Sequence, residues 1–267
     1  MINIAFYGDE MTFNGVSCTA HNLGMYSEDS NEKITVSNYK SDKTKTYKQN
    51  KFLPKKQYED EPNYINISLF PLDGEPITRT ELNDIEKWLH PDSEFKSLTI
   101  NQEDMDGWHY NCRLQSMEAE TFGNKIMMIH LVFEADSVYV WSDELTSTYT
   151  ITTTPQNCVF NNISSEDSLR PRYVIKMNAS GGSATITNNA FTDINQKTIA
   201  FTLLQANEII TVDTELCIVS SNLRNGVFSN FTYPNFMRLP YGSHTFVVDG
   251  NVAEFKIVYF NAKRVGD

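Results

Sequence analysis

The stretch MDGWHYNCRLQ, residues 105–115, gathers reactive side chains within a few positions. His109 can carry a proton or bind a metal, Cys112 can attack as a thiolate, and Arg113 can grip a carboxylate. His109, Asn111 and Arg113 also follow the spacing H-x-N-x-R, which on a strand offers three hydrogen-bonding groups to a sugar. A strand alternates its side chains, so these three share one face and Trp108, Tyr110, Cys112 and Leu114 share the other. The apolar set is the core face. That withdraws Cys112 from chemistry and leaves the polar set facing solvent or a neighbouring surface.

The rest of the chain does not complete a catalytic constellation. It has no G-x-S-x-G elbow, no H-E-x-x-H and no P-loop. SGGS at 180–183 lacks the lysine and following helix that cradle a phosphate. The histidines (His21, His90, His109, His130 and His244) are not spaced as metal ligands on one element. Glu103, Asp104 and Asp106 read as a solvated turn. Cys18, Cys112, Cys158 and Cys217 are far apart and read as reduced core thiols. Galectin-type sugar binding also needs V-x-N and W-x-x-E-x-R strands. Trp141 and Glu144 supply part of the second, but Thr146 stands where arginine is required and no V-x-N lies between. The expectation is a protein that is not an enzyme, with no catalytic residue, no cofactor and no metal. The alternative is a carbohydrate-binding module contacting the host cell wall, with Tyr139, Trp141, Tyr149 or Tyr233 stacking on sugar.

Charge narrows the partners. The 267 residues carry a formal net charge of −12, which argues against a nucleic-acid groove. One segment runs the other way: Lys40, Lys43, Lys45, Lys48, Lys51, Lys55 and Lys56 crowd into YKSDKTKTYKQNKFLPKKQY. It reads either as a solvated loop or edge hairpin, or as a basic arm docking on an acidic neighbour. These lysines, with His109, Asn111 and Arg113, are the candidate subunit or partner contacts. No window is apolar for the ~18 residues a membrane span needs, and MINIAFYGDE lacks the basic and apolar regions of a secretory signal.

Those side chains must be held by strands. KITVSNY, NYINISLF, KIMMIHLVFEA, RYVIKMNA, TIAFTLL, EIITVD, HTFVVDG and AEFKIVYF alternate apolar and polar residues. Turn signals separate them, and Asp249-Gly250 predicts a hairpin between its two flanking runs. One segment differs. In TRTELNDIEKWLHP, Thr78 and Glu81 form a capping box, Leu82, Ile85, Trp88 and Leu89 recur at helical spacing, and Pro91 stops the run, predicting a helix over 79–90. The rhythm changes near 135–145, predicting an N-terminal β-sandwich with one helix over 1–138 and a C-terminal sandwich over 139–267.

The order of these features resembles the distal tail proteins (Dit) of siphophages. YGDEMTFNGVSCTAHNLGMYS resembles the family's opening F-N-G…S…G-L. The helix with its W-L and following strand comes next, then the hairpin DMDGWHYNCRLQSMEAETFGNKIMMIHLVFEADSVYVWS. YPNFMRLPYGSHTFVVDGNVAEFKIVYFNAKRV resembles the family's close. Two departures stand out: Ser243-His244 replaces an Asn-rich turn, and the lysine-rich segment replaces a G-R-x-G. The resemblance implies a ring-forming belt domain followed by a galectin-like β-sandwich. It implies a homohexameric ring at the distal end of the tail tube, with the major tail or tube protein, the tail-associated hub protein and receptor-binding or baseplate proteins as partners. DNA would pass through the channel without specific binding. The place would be the virion tail tip, with synthesis in the host cytoplasm.

Overall fold

The computed structural model describes residues 8–26, 39–45, 52–58, 63–102, 105–166 and 168–264. Lys48, Lys51, Glu103, Asp104 and most of the predicted strand KITVSNY lie outside them. Contacts divide the chain into two units: residues 1–141 with 264–267, and residues 142–263.

The first unit contains β1 (Met11–Phe13), β2 (Val16–Ser17), β3 (Leu23–Tyr26), β4 (Tyr39–Lys45), β5 (Phe52–Tyr58), β6 (Asn63–Pro71), helix α1 (Arg79–Leu89), β7 (Lys96–Ile100), β8 (Trp108–Phe122), β9 (Lys125–Ala135) and β10 (Tyr139–Ser142). Its main sheet runs β2-β1-β7-β8-β9-β6-β3, with antiparallel ladders, and β10 pairs with β8. The sheet curls back on itself. The Met25 N–H donates to the Asp9 carbonyl at 3.0 Å, tying β3 to the residues that lead into β1. Asn14-Gly15 and Gly123-Asn124 form the two-residue hairpin loops after Phe13 and Phe122. All four residues have positive φ, the backbone whose twist suits a tight hairpin.

Helix α1 starts where its sequence says. Thr78 Oγ1 accepts from the Glu81 N–H, and the Glu81 carboxylate accepts from the Thr78 N–H, which satisfies two otherwise orphaned donors. Its apolar stripe then packs inward, with Ile85 and Leu89 buried and Leu82 and Trp88 lying against the core. Trp88 Nε1 donates to the Phe13 carbonyl at 3.1 Å, and its ring stacks on His21 with centroids 4.6 Å apart.

The second unit contains β11 (Leu145–Thr150), β12 (Gln156–Asn162), β13 (Arg172–Met177), β14 (Gly182–Asn188), the single turn α2 (Ile194–Lys197), β15 (Thr198–Leu204), β16 (Ile209–Asp213), β17 (Ile218–Ser221), β18 (Phe231–Tyr233), β19 (Gly242–Gly250) and β20 (Val252–Tyr259). A last strand is β21 (Ala262–Arg264). Two five-stranded sheets form, β11-β20-β13-β16-β17 and β12-β19-β14-β15-β18. Alternate residues of both are buried in one core, where Tyr173, Phe246 and Phe255 meet. Tyr173 brings a hydroxyl into this interior and donates it to the Met237 carbonyl at 2.9 Å.

The expected hairpin at Asp249-Gly250 is not one. The strands on either side of it, β19 and β20, belong to different sheets. The short link is an arch held by the start of β14 and the segment before it: the Asn251 N–H donates to the Ser183 carbonyl, the Asn178 N–H to the Asn251 carbonyl, and the Asn251 amide to the Gly181 carbonyl. Gly250 sits at φ 94° with no room for a Cβ against the Ser183 carbonyl oxygen. Cys217 also departs from expectation. Cys18, Cys112 and Cys158 are buried, but Cys217 is exposed in the turn between β16 and β17, at φ 54°. The Asp213 carboxylate shapes that turn by accepting from the Glu215 and Leu216 N–H groups.

Candidate interaction surfaces

The face of β8 is built as its alternation requires. Tyr110 and Cys112 are buried, while His109, Asn111 and Arg113 are half-buried on the opposite side. Burial raises the Cys112 thiol far above its ordinary range, and Asp136 adds to the effect, so it is not a nucleophile. Arg113 is engaged within the sheet. Its Nε and Nη2 donate to Glu134 Oε2 at 2.9 and 2.8 Å across the β8–β9 ladder, and its guanidinium lies 5.1 Å from the Phe95 ring centre. Asn111 pairs with Ser97 on β7, and its carbonyl accepts from the Asp136 N–H. The three residues therefore share a face, but the arginine is committed to a carboxylate.

A second polar chain on this sheet escaped sequence reasoning because its members are dispersed. Ser68 on β6, His130 on β9 and Glu120 on β8 line up, with Ser68 Oγ 2.8 Å from His130 Nδ1 and His130 Nε2 3.0 Å from Glu120 Oε2. The residue types are those of a hydrolytic triad, but the setting is not. Ser68 is buried in mid-strand, and its hydroxyl meets Nδ1 while the carboxylate takes Nε2, the reverse of the roles in a serine hydrolase. The arrangement is a cross-strand polar ladder. Among the described residues no group of three or more His, Cys, Asp or Glu could hold a metal ion.

The lysine-rich segment forms its own two-stranded sheet. β4 and β5 pair from Tyr39↔Tyr58 to Lys45↔Phe52 and, among the described residues, pair with no other strand. The segment from residue 40 to 56 holds seven lysines and one aspartate, a net +6, so the remainder of the chain carries −18.

In the second unit, Tyr149 turns inward: its hydroxyl donates to the Val159 carbonyl at 2.8 Å and its ring stacks on Phe255. Tyr139 and Trp141, in the first unit, are half-buried. Tyr233 is exposed, and Tyr241, beside the Asn162–Gly242 pair, is 72% exposed. Glu208 is a fully buried carboxylate. Burial raises its pKa, but the Gln205 N–H, the Ser221 hydroxyl and Arg224 outweigh that and hold it below the usual range.

A domain family described as a phage tail protein N-terminal domain matches residues 6–137, and one described as a phage tail C-terminal domain matches residues 139–259. No curated protein sequence matches the chain. Among solved structures, the Dit (gp 19.1) protein of phage SPP1, described as a paradigm of hub adsorption apparatus in Gram-positive infecting phages, is similar with TM-score 0.67 at 12% identity, over 94% of this chain and 98% of that one. A chain of the phage p2 baseplate in its activated conformation with strontium has TM-score 0.50 at 11% identity, over 97% and 98%. At such identities the likeness speaks for the fold. The chain belongs to the phage tail protein family that these two domains define, and it has the fold of a Dit protein.

Proposed function

We propose that this protein is a structural adaptor that closes into a ring, a homohexamer, at the distal end of a phage tail tube. It joins the tube protein to the tail-tip hub and to receptor-binding or baseplate proteins, leaving a channel for DNA. The first unit forms the belt, and the second, a galectin-like sandwich, points outward. The observation that carries this reading is the cationic β4–β5 hairpin, which among the described residues pairs with no other strand, in a chain whose remainder carries a net −18. A head-to-tail contact between two different patches generates a ring when the rotation closes, and opposite charges give such a contact its direction. The protein acts by contact and not by turnover. Native mass spectrometry and negative-stain images of the purified protein, alone and with its tube protein, test this; a monomer under every condition overturns it.

A second reading, sugar recognition by the second unit, draws on exposed Tyr241 and exposed Ile163, which flank the Asn162–Gly242 pair. An aromatic ring beside uncharged strand residues is a surface on which a sugar can stack. A glycan array decides: no binding above background removes it.

A further inference from the structure

The open edge of a sheet recruits another chain unless charge, proline or a covering segment blocks it. β17 is such an edge in the second unit: among the described residues it pairs with β16 and with no other strand. The Asn222 N–H donates to the Ile209 carbonyl at 3.2 Å. Antiparallel ladders alternate, so Ser220 and Ile218 also bond toward β16, and the N–H and C=O of Val219 and Ser221 point away from it. The strand sequence, IVSS, holds neither a charge nor a proline.

Exposed apolar side chains gather beside this edge. The 3-10 turn Val227–Asn230 lies against both β15 and β17, buries Val227 and leaves Phe228 57% exposed. Leu203, at the end of β15, sits at φ 56°, a backbone that leucine rarely adopts, and is 78% exposed. Arg224 Nη2 holds it there by donating to its carbonyl at 3.1 Å, and the neighbouring Leu223 is exposed as well. Backbone strain that presents a side chain to solvent is a feature of binding surfaces. Charge is missing from the same region. Residues 198–207 and 216–237 contain one charged residue, Arg224, which is bound to buried Glu208, in a chain of which 21% is charged. The centres of protein interfaces are depleted of charge in the same way.

We propose that β17 is a strand-addition site: an extended, uncharged segment of another protein pairs with the open backbone of Val219 and Ser221, and its apolar side chains cover Ile218, Leu203, Leu223 and Phe228. Backbone pairing supplies the affinity of such a contact, and the side chains beside the edge supply its specificity. Charge selects the occupant. A charged segment would lose its hydration at a surface whose one cation is already paired, and a further copy of this chain brings a net −12 with it. The site lies wholly within the second unit, so it does not depend on the ring contact.

The test uses the full-length chain, with a displayed library of short random peptides as the probe. Panning should enrich uncharged peptides with apolar residues at alternate positions. One of these, bound to the protein, should slow hydrogen exchange of the Val219 and Ser221 amides by at least ~10-fold. Ile218→Lys/Ser220→Lys charges the edge and leaves the ladder to β16 in place, and it should weaken that peptide by at least ~10-fold. Leu203→Gly should weaken it too, yet melt no lower than the unaltered protein, because glycine adopts this φ freely. No enrichment, enrichment of charged peptides, or equal binding to the lysine variant overturns the proposal. Protection of the two amides without peptide, together with a doubled mass, would put a second copy on the edge and overturn it as well.

Discussion

Arg224 Nε donates to Glu208 Oε1 at 2.8 Å, and its Nη2 donates to Glu208 Oε2 at 3.2 Å and to the Leu203 carbonyl at 3.1 Å. The Glu208 side chain has no exposed surface and the Arg224 side chain is 25% exposed. The pair therefore joins the turn before β16 to the loop after β17, and holds Leu203, a non-glycine residue at φ 56°. Removing one partner of a buried ion pair costs more than the pair is worth, because the other charge stays buried. Arg224→Ala should lower the stability of the second unit by about 3 kcal/mol, read from urea unfolding.

The same carboxylate sets an acid limit. Its pKa is lowered in the folded state, so it contributes stability above the unfolded value of about 4.3, and that stability is lost as pH falls through the lower folded value. Unfolding free energy of the second unit should therefore fall as pH drops below about 5, and Glu208→Gln should flatten that fall. An unchanged pH dependence in the variant would assign the loss to other groups.

At Gly250 the arch between the two sheets admits no side chain. Gly250→Ala places a Cβ against the Ser183 carbonyl at a φ that L residues rarely adopt. It should destabilise the second unit by at least about 3 kcal/mol. Gly15→Ala, at a comparable φ of 77° but with open space around it, should cost only about 1 kcal/mol. The difference, measured by thermal melts, separates collision from backbone preference.

Trp88 ties α1 to β1 through a hydrogen bond to the Phe13 carbonyl, and to the turn after β2 through its stack on His21. Trp88→Phe keeps a ring for His21 but leaves the Phe13 carbonyl without its donor. A loss of about 1–2 kcal/mol is expected, with the far-ultraviolet spectrum unchanged.

The chain Ser68–His130–Glu120 offers a direct check on whether the protein turns over a substrate. Ester and glycoside substrates should be hydrolysed no faster with the protein than with Ser68→Ala or with buffer. Hydrolysis that disappears in Ser68→Ala would make the ladder a reaction centre.

Local patterns carried much of the architecture. Thr78, Glu81 and Pro91 bound the helix, because capping is a contact between residues three apart, and the structure ends it at Leu89 against an expected 90. The alternation through WHYNCRLQ sorted Tyr110 and Cys112 inward for the same reason: a period of two is local. β12 was not legible, since Gln156, Asn157, Asn161 and Asn162 flank a short apolar run and only the β19 partner makes it a strand.

What the sequence determined by itself was a strand-rich chain with a capped helix over Arg79–Leu89 and a cationic segment in an acidic protein. Each of these is a property of neighbouring residues or of a sum. Only the tertiary structure decided which strands share a sheet. It parted β19 from β20, turned Cys217 out to solvent, and committed Arg113 to Glu134. The reason is physical: pairing across a sheet joins residues distant in the chain, and the choice among partners depends on a core that no single segment contains.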